Sequence, residues 1–173
     1  GFGHGFARFD APDKSMTREG SETIARARAM LADADEHDVF LWLHVFEAHA
    51  PYEPQEGCTE LYYSGDPYGE ELAELPEGIR ASWNKRIRDV SYLRALYKGE
   101  VSRLDRNLQR FFDRVPRVRA GYVIFTADHG ESLGENQLYW DHSAIYPSTL
   151  RVPLIIAGPG VPAGLRVKEP VSN

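Results

Sequence analysis

Three short apolar runs constrain this chain more than anything else in it: Val39 to Phe46 (VFLWLHVF), Tyr122 to Ala127 (YVIFTA) and Val152 to Ala157 (VPLIIA). Each has the length of a strand, and near-continuous apolar character is what a strand buried on both faces requires. Helical periodicities lie between them. Ile24, Ala27, Leu31 and Ala34 share one face of a helix from about Ser21 to Ala34, with Ser21 as candidate cap. Leu93, Tyr97, Val101, Leu104, Leu108, Phe111 and Val115 recur at three- and four-residue steps, marking a long amphipathic helix that tolerates Gly99 and ends near Pro116. Buried strands alternating with helices predict an α/β fold with a largely parallel central sheet flanked by helices. Pro153 delays the start of the last strand, which runs into the turn formers Gly158-Pro159-Gly160.

Charge and cysteine content narrow the function. A formal net charge of −6 argues against a nucleic-acid backbone as partner, because that binding rests on Lys and Arg neutralising phosphates. A small or moderately sized substrate fits better. Cys58 is the only cysteine, which removes internal disulfides and cysteine-built zinc sites. No apolar run approaches the ~18 residues of a membrane span. Glu53 to Glu77 holds eight acidic residues and no Lys or Arg, among several Pro, Gly and Tyr, and reads as a loop-rich acidic insertion extending to about residue 86. If it borders the site, it repels polyanionic chains. The arginines between Arg80 and Arg119 interleave with the helix stripe and with Glu100, Asp105 and Asp113, as on a solvated helix face.

In parallel sheets, ligands bind beyond the carboxyl ends of the strands. The first run empties into Glu47-Ala48-His49-Ala50-Pro51-Tyr52 and the second into Asp128-His129-Gly130-Glu131. A carboxylate and an imidazole side by side, with Gly130 free to turn tightly, suit one divalent cation, so Asp128 and His129 are the candidate metal ligands. An isolated Asp-His-Gly more often caps a helix; here it follows a buried strand, and His49 and His142 lie in loops able to reach the same rim. His44, inside the first run, is expected to be a buried hydrogen-bonded histidine and His4 a surface residue. Glu131 is expected to orient the Asp-His loop. The order His44-Val45-Phe46-Glu47-Ala48-His49 misses the spacing of a zinc-peptidase helix by one residue.

These segments resemble the sulfatase family of the alkaline phosphatase superfamily. Phe40-Leu41-Trp42-Leu43-His44 followed by Glu47-Ala48-His49-Ala50-Pro51-Tyr52 is similar to that family's apolar strand and Asp-Pro-His-x-Pro-Tyr, with Glu for Asp and Ala for Pro. Tyr97-Lys98-Gly99-Glu100-Val101 with Leu104-Asp105 resembles the helix before its second metal motif. Phe125-Thr126-Ala127-Asp128-His129-Gly130-Glu131-Ser132-Leu133-Gly134-Glu135 resembles the motif itself, and Leu150-Arg151-Val152-Pro153-Leu154-Ile155-Ile156 the strand after it. Gly1-Phe2-Gly3-His4-Gly5-Phe6 is similar to the Gly-Phe-rich segment before the family's first amphipathic helix. Asn136 departs from the His that many relatives carry after Gly-Glu.

The resemblance implies an alkaline-phosphatase-like fold, with residues 1–173 as the middle part of a single catalytic domain, incomplete at both ends, and residues 53–86 as the insertion. It implies sulfate ester hydrolysis by a formylglycine made from Cys or Ser in a Cys/Ser-x-Pro-x-Arg motif. No such motif occurs here, and Cys58, in Gly57-Cys58-Thr59-Glu60, does not match it. The nucleophile is therefore expected outside this chain, which alone should be inactive. Asp128 and His129 would supply part of a divalent metal site, calcium by family expectation, with manganese or zinc also suited to an imidazole. His49 matches the histidine that contacts the transferred group, and His142 aligns with a Lys or His that stabilises the ester oxygen. The expected partner is a small-molecule or saccharide sulfate ester, and the family suggests a periplasmic or extracellular location. Phosphodiester or phosphonate hydrolysis, phosphoethanolamine transfer, or metal binding without turnover are the rival readings.

Overall fold

A computed structural model describes residues 3–12, 17–34 and 38–172; Gly1 and Phe2 of the Gly-Phe-rich segment lie outside them. The elements run α1 (Gly20–Ala32), α2 (Val90–Arg114), α3 (Pro116–Ala120), β1 (Val123–Thr126), β2 (Ser132–Leu133), β3 (Tyr139–Asp141), α4 (Pro147–Leu150) and β4 (Leu154–Ala157), with short 3-10 turns at Thr59–Leu61 and Glu135–Gln137. Between residues 53 and 86 that first 3-10 turn is the sole regular element.

The long helix forms as its stripe requires. Asp89 caps it, accepting the Ser91 N–H at 2.8 Å. Pro116 starts the short α3 at a position where the proline's missing N–H would be unbonded anyway. Gly99 has a packing reason: a Cβ there would lie 2.9 Å from Pro54 Cβ. The insertion thus presses on the middle of α2. Helix α1 starts at Gly20, and Ser21 does not cap it; the Ser21 hydroxyl donates to Glu19 instead. The N-terminus is met from a distance by Glu47, whose carboxylate accepts the Gly20 N–H at 2.8 Å. A carboxylate there satisfies an orphan donor and complements the helix dipole.

Two apolar clusters hold these elements. One joins Ile24, Ala27 and Leu31 of α1 to Phe111 of α2, with Leu41, Leu43 and Val45 packed against it. The other gathers Tyr52, Ala81, Ile87, Leu93, Leu96 and Trp140. Between them they fix both ends of α2.

The sheets differ from the parallel expectation. β1 pairs antiparallel with β4, from Val123 opposite Ala157 to Thr126 opposite Leu154, and β2 pairs antiparallel with β3. Both are two-stranded, so no parallel ladder occurs among the described residues. Val39–Phe46 forms no regular element and joins no ladder there. Its side chains alternate: Leu41, Leu43 and Val45 turn to the helices while Phe40, Trp42, His44 and Phe46 are exposed. His44 is therefore an outward residue rather than the buried one expected, because period-two alternation puts it opposite the packed face. β4 is exposed along its whole length and β1 at every second residue, since within the described residues each has only the other as ladder neighbour. Pro153 does precede the β4 start at Leu154.

Candidate active site

Asp128 and His129 follow β1 directly. Their loop is docked by Gly130, whose N–H donates to Thr149 O at 2.7 Å, and by a 2.7 Å hydrogen bond between the Ser132 and Ser148 hydroxyls. Gly130 has no alternative: a Cβ there would lie 2.1 Å from Ser148 O. Three residues after His49, Tyr52 anchors the segment, buried in edge-on contact with Trp83 and Tyr97. His142 follows β3, which is anchored where Trp140 Nε1 donates to Ile79 O at 2.7 Å.

These loops bring three histidines together. The His142 ring stacks on His129 with centroids 4.0 Å apart and meets the His49 ring at 5.4 Å, so it lies in contact with both. His129 Nε2 is 3.8 Å from Asp128 Oδ2. All four sequence-predicted site residues thus converge, although they span residues 49 to 142. Asn136 sits on an exposed turn with φ 54°, a left-handed conformation that asparagine adopts more readily than most residues.

The donors fit a divalent cation. The His129 Nδ1 lies 2.9 Å from Gly130 O, which only accepts, so Nδ1 is the donor there and Nε2 is the corner beside Asp128. A backbone carbonyl on the far nitrogen is the usual outer partner of a metal-bound imidazole. Both groups reach solvent, with side chains 75% (Asp128) and 40% (His129) exposed. Partial burial alone would raise the Asp128 carboxyl; the His129 N–H it accepts at 3.0 Å, with the charges of His129 and His44, outweighs that and holds it below the usual value. Among the described residues no cluster of three or more ligating side chains occurs. Asp128 and His129 are a partial donor set.

His49 is pinned in the same way, its Nδ1 donating to Ala50 O at 2.5 Å, which leaves Nε2 at the other corner of the ring. Beneath the histidines lies Glu131, 7% exposed, with Oε1 3.7 Å from His142 Nδ1. Burial pushes its carboxyl up, while His142 and His49 pull against that shift. Burial, and then the Glu131 charge, also push the Tyr52 phenol far upward, so Tyr52 stays a neutral hydroxyl. Glu131 thus faces His142 and Tyr52.

Two contributors escaped the sequence. His44 acts electrostatically on Asp128 from the outward face of its segment, and alternation within Leu41 to Phe46 was the available signal. Tyr52 is buried beside Glu131; only its place in the His-Ala-Pro-Tyr segment pointed to it.

The family model described as Sulfatase matches residues 7–173. A choline-sulfatase of Rhizobium meliloti is 29% identical over 141 residues, covering 72% of this chain and 27% of that protein. A sulfatase of Formosa agariphila is 29% identical over 121 residues, covering 65% and 24%. The chain therefore spans about a quarter of the length of these curated relatives. Its fold matches the crystal structure of the phosphonate monoester hydrolase of Agrobacterium radiobacter with a TM-score of 0.55 at 22% identity, covering 83% of this chain and 34% of that one. Motifs, α/β fold and family match coincide over nearly the whole sequence: the chain belongs to the sulfatase family.

Proposed function

We propose that residues 1–173 form the middle part of a sulfatase-type catalytic domain, with residues 53–86 as an acidic insertion, and that the complete protein hydrolyses a sulfate ester of a small alcohol or saccharide. The observation that carries this reading is the meeting of His49, His142 and the Asp128–His129 pair at one rim. Asp128 and His129 hold part of a divalent metal site, with calcium the family expectation and manganese or zinc compatible with the imidazole. A metal held there would polarise the sulfate oxygens and lower the pKa of the nucleophile. The formylglycine is assigned to sequence outside this chain.

Within the chain, His49 presents Nε2 to the transferred group because its Nδ1 is bound to Ala50 O, and so can hand over or take up a proton there. His142, between His49 and His129, offers a donor to the ester oxygen as charge develops on the leaving group. The acidic insertion disfavours polyanionic substrates. No described helix is long and apolar enough to cross a membrane. A second reading, phosphonate or phosphate ester hydrolysis, draws on the likeness to the phosphonate monoester hydrolase, since the same loops suit any tetrahedral oxyanion.

The test is to assay the complete protein on an aryl sulfate and on an aryl phosphonate, with metal content measured in the same samples. Sulfate hydrolysis is expected. Asp128→Ala should lose both bound metal and at least about a hundredfold in turnover. Preference for the phosphonate would select the second reading, and full activity after metal stripping would overturn both.

A further inference from the structure

The three clustered histidines are not held alike. Nδ1 of His49 and of His129 each has a backbone carbonyl, from Ala50 and Gly130. Nδ1 of His142 is shut off from solvent and has no hydrogen-bond partner. Its nearest counter-group is Glu131 Oε1 at 3.7 Å, likewise buried and unpartnered, as is the Tyr52 hydroxyl. Buried polar atoms in folded proteins are nearly always paired. Here Glu131 adjoins both of the others, and the chemistry is complementary, because an imidazole N–H and a phenol donate while a carboxylate only accepts.

We infer that Glu131 is the positioning residue of His142: its carboxylate, steadied by the Tyr52 hydroxyl, takes the hydrogen bond from His142 Nδ1 and so aims Nε2 into the site. A closure of about 0.5 Å from the present separation makes that bond. It fixes two things. The ring is kept parallel to His129, to which it stands at 22°. Nδ1 is kept as the donor to Glu131, so that the corner facing the reacting group is Nε2, which donates there when the ring carries both protons. A buried carboxylate behind a working imidazole sets both tautomer and orientation without touching substrate. Glu131 lies two residues beyond His129, so one short loop supplies the candidate metal ligands and the brace of a neighbouring histidine. This role rests on the functional reading above for its consequence in turnover, but not for its geometry.

The experiment begins without a variant. Nitrogen-15 NMR of the complete protein, with the His142 ring signals assigned by their loss in His142→Ala, reads which ring nitrogen carries hydrogen. A proton on Nδ1, whether or not Nε2 also carries one, is expected; a ring protonated on Nε2 alone overturns the inference, and either result holds whichever ester the enzyme cleaves. Glu131→Gln, which keeps the shape but replaces one acceptor oxygen by a donor, should then weaken the Nδ1 preference. It should lower kcat by at least about tenfold with KM and metal content unchanged. On the His142→Ala background the same substitution should cost no further activity. Losses that multiply in the double variant, or metal released by Glu131→Gln alone, would show Glu131 acting elsewhere and overturn the role.

Discussion

Glu100 is a charged side chain that α2 buries, and its Oε1 accepts the Glu53 N–H at 2.9 Å. Burial pushes its carboxyl up, against the pull of that hydrogen bond. The folded protein therefore keeps a proton that the unfolded chain has released, and stability falls as pH rises from the ordinary carboxylate value through the raised folded one. Glu100→Gln retains an acceptor for Glu53 and removes the titration. Its stability relative to wild type should climb as pH rises above the ordinary carboxylate value, read as urea midpoints across a pH series; parallel curves would refute the assignment. Glu100 and Glu131 look alike in the sequence, two carboxylates in charged surroundings. Burial separates them, one tying the insertion to a helix and the other facing a histidine.

Helix α2 shows how far an element can be read from its pattern. The stripe from Leu93 to Val115 anticipates the span Val90–Arg114 closely, because periodic apolar spacing and a stopping proline act locally. Its glycine did not follow from pattern. In an exposed helix, Gly99→Ala would add about 1 kcal/mol of stability. Against the Pro54 ring, 2.9 Å from the added Cβ, it should instead destabilise by about 1 to 3 kcal/mol, and a denaturant midpoint above wild type would contradict the contact. The strands were less legible. The runs Tyr122–Ala127 and Val152–Ala157 do contain β1 and β4, but their direction of pairing depends on which segment lies alongside, and no local signal carries that.

Across the molecule, apolar side chains are distributed unevenly. The two clusters around α1 and α2 are closed, whereas Phe40, Trp42, Ile124, Leu154, Ile155 and Ile156 are exposed along Val39–Phe46 and the β1–β4 ladder. Contiguous exposure of this kind marks an interaction or aggregation surface. The 173-residue chain expressed alone should bind the dye ANS and self-associate on size exclusion. A monomeric, dye-free elution would mean these faces find cover within the chain. The same faces account for the sheet expectation: runs written for burial on both sides stand half uncovered among the described residues.

What the sequence determined by itself was local or periodic: both main helices, the positions of β1 and β4, the acidic stretch without regular strands, and the Asp-His pair placed directly after a strand. Only the tertiary structure decided what depends on distant segments meeting. It turned His44 outward, set Glu47 on the N-terminus of α1, paired β1 with β4 in antiparallel register, and brought His142 onto His129 with Glu131 beneath. The physical reason is that periodicity records which face of an element avoids water, whereas the approach of two loops is set by packing across the whole chain, which no window along the sequence contains.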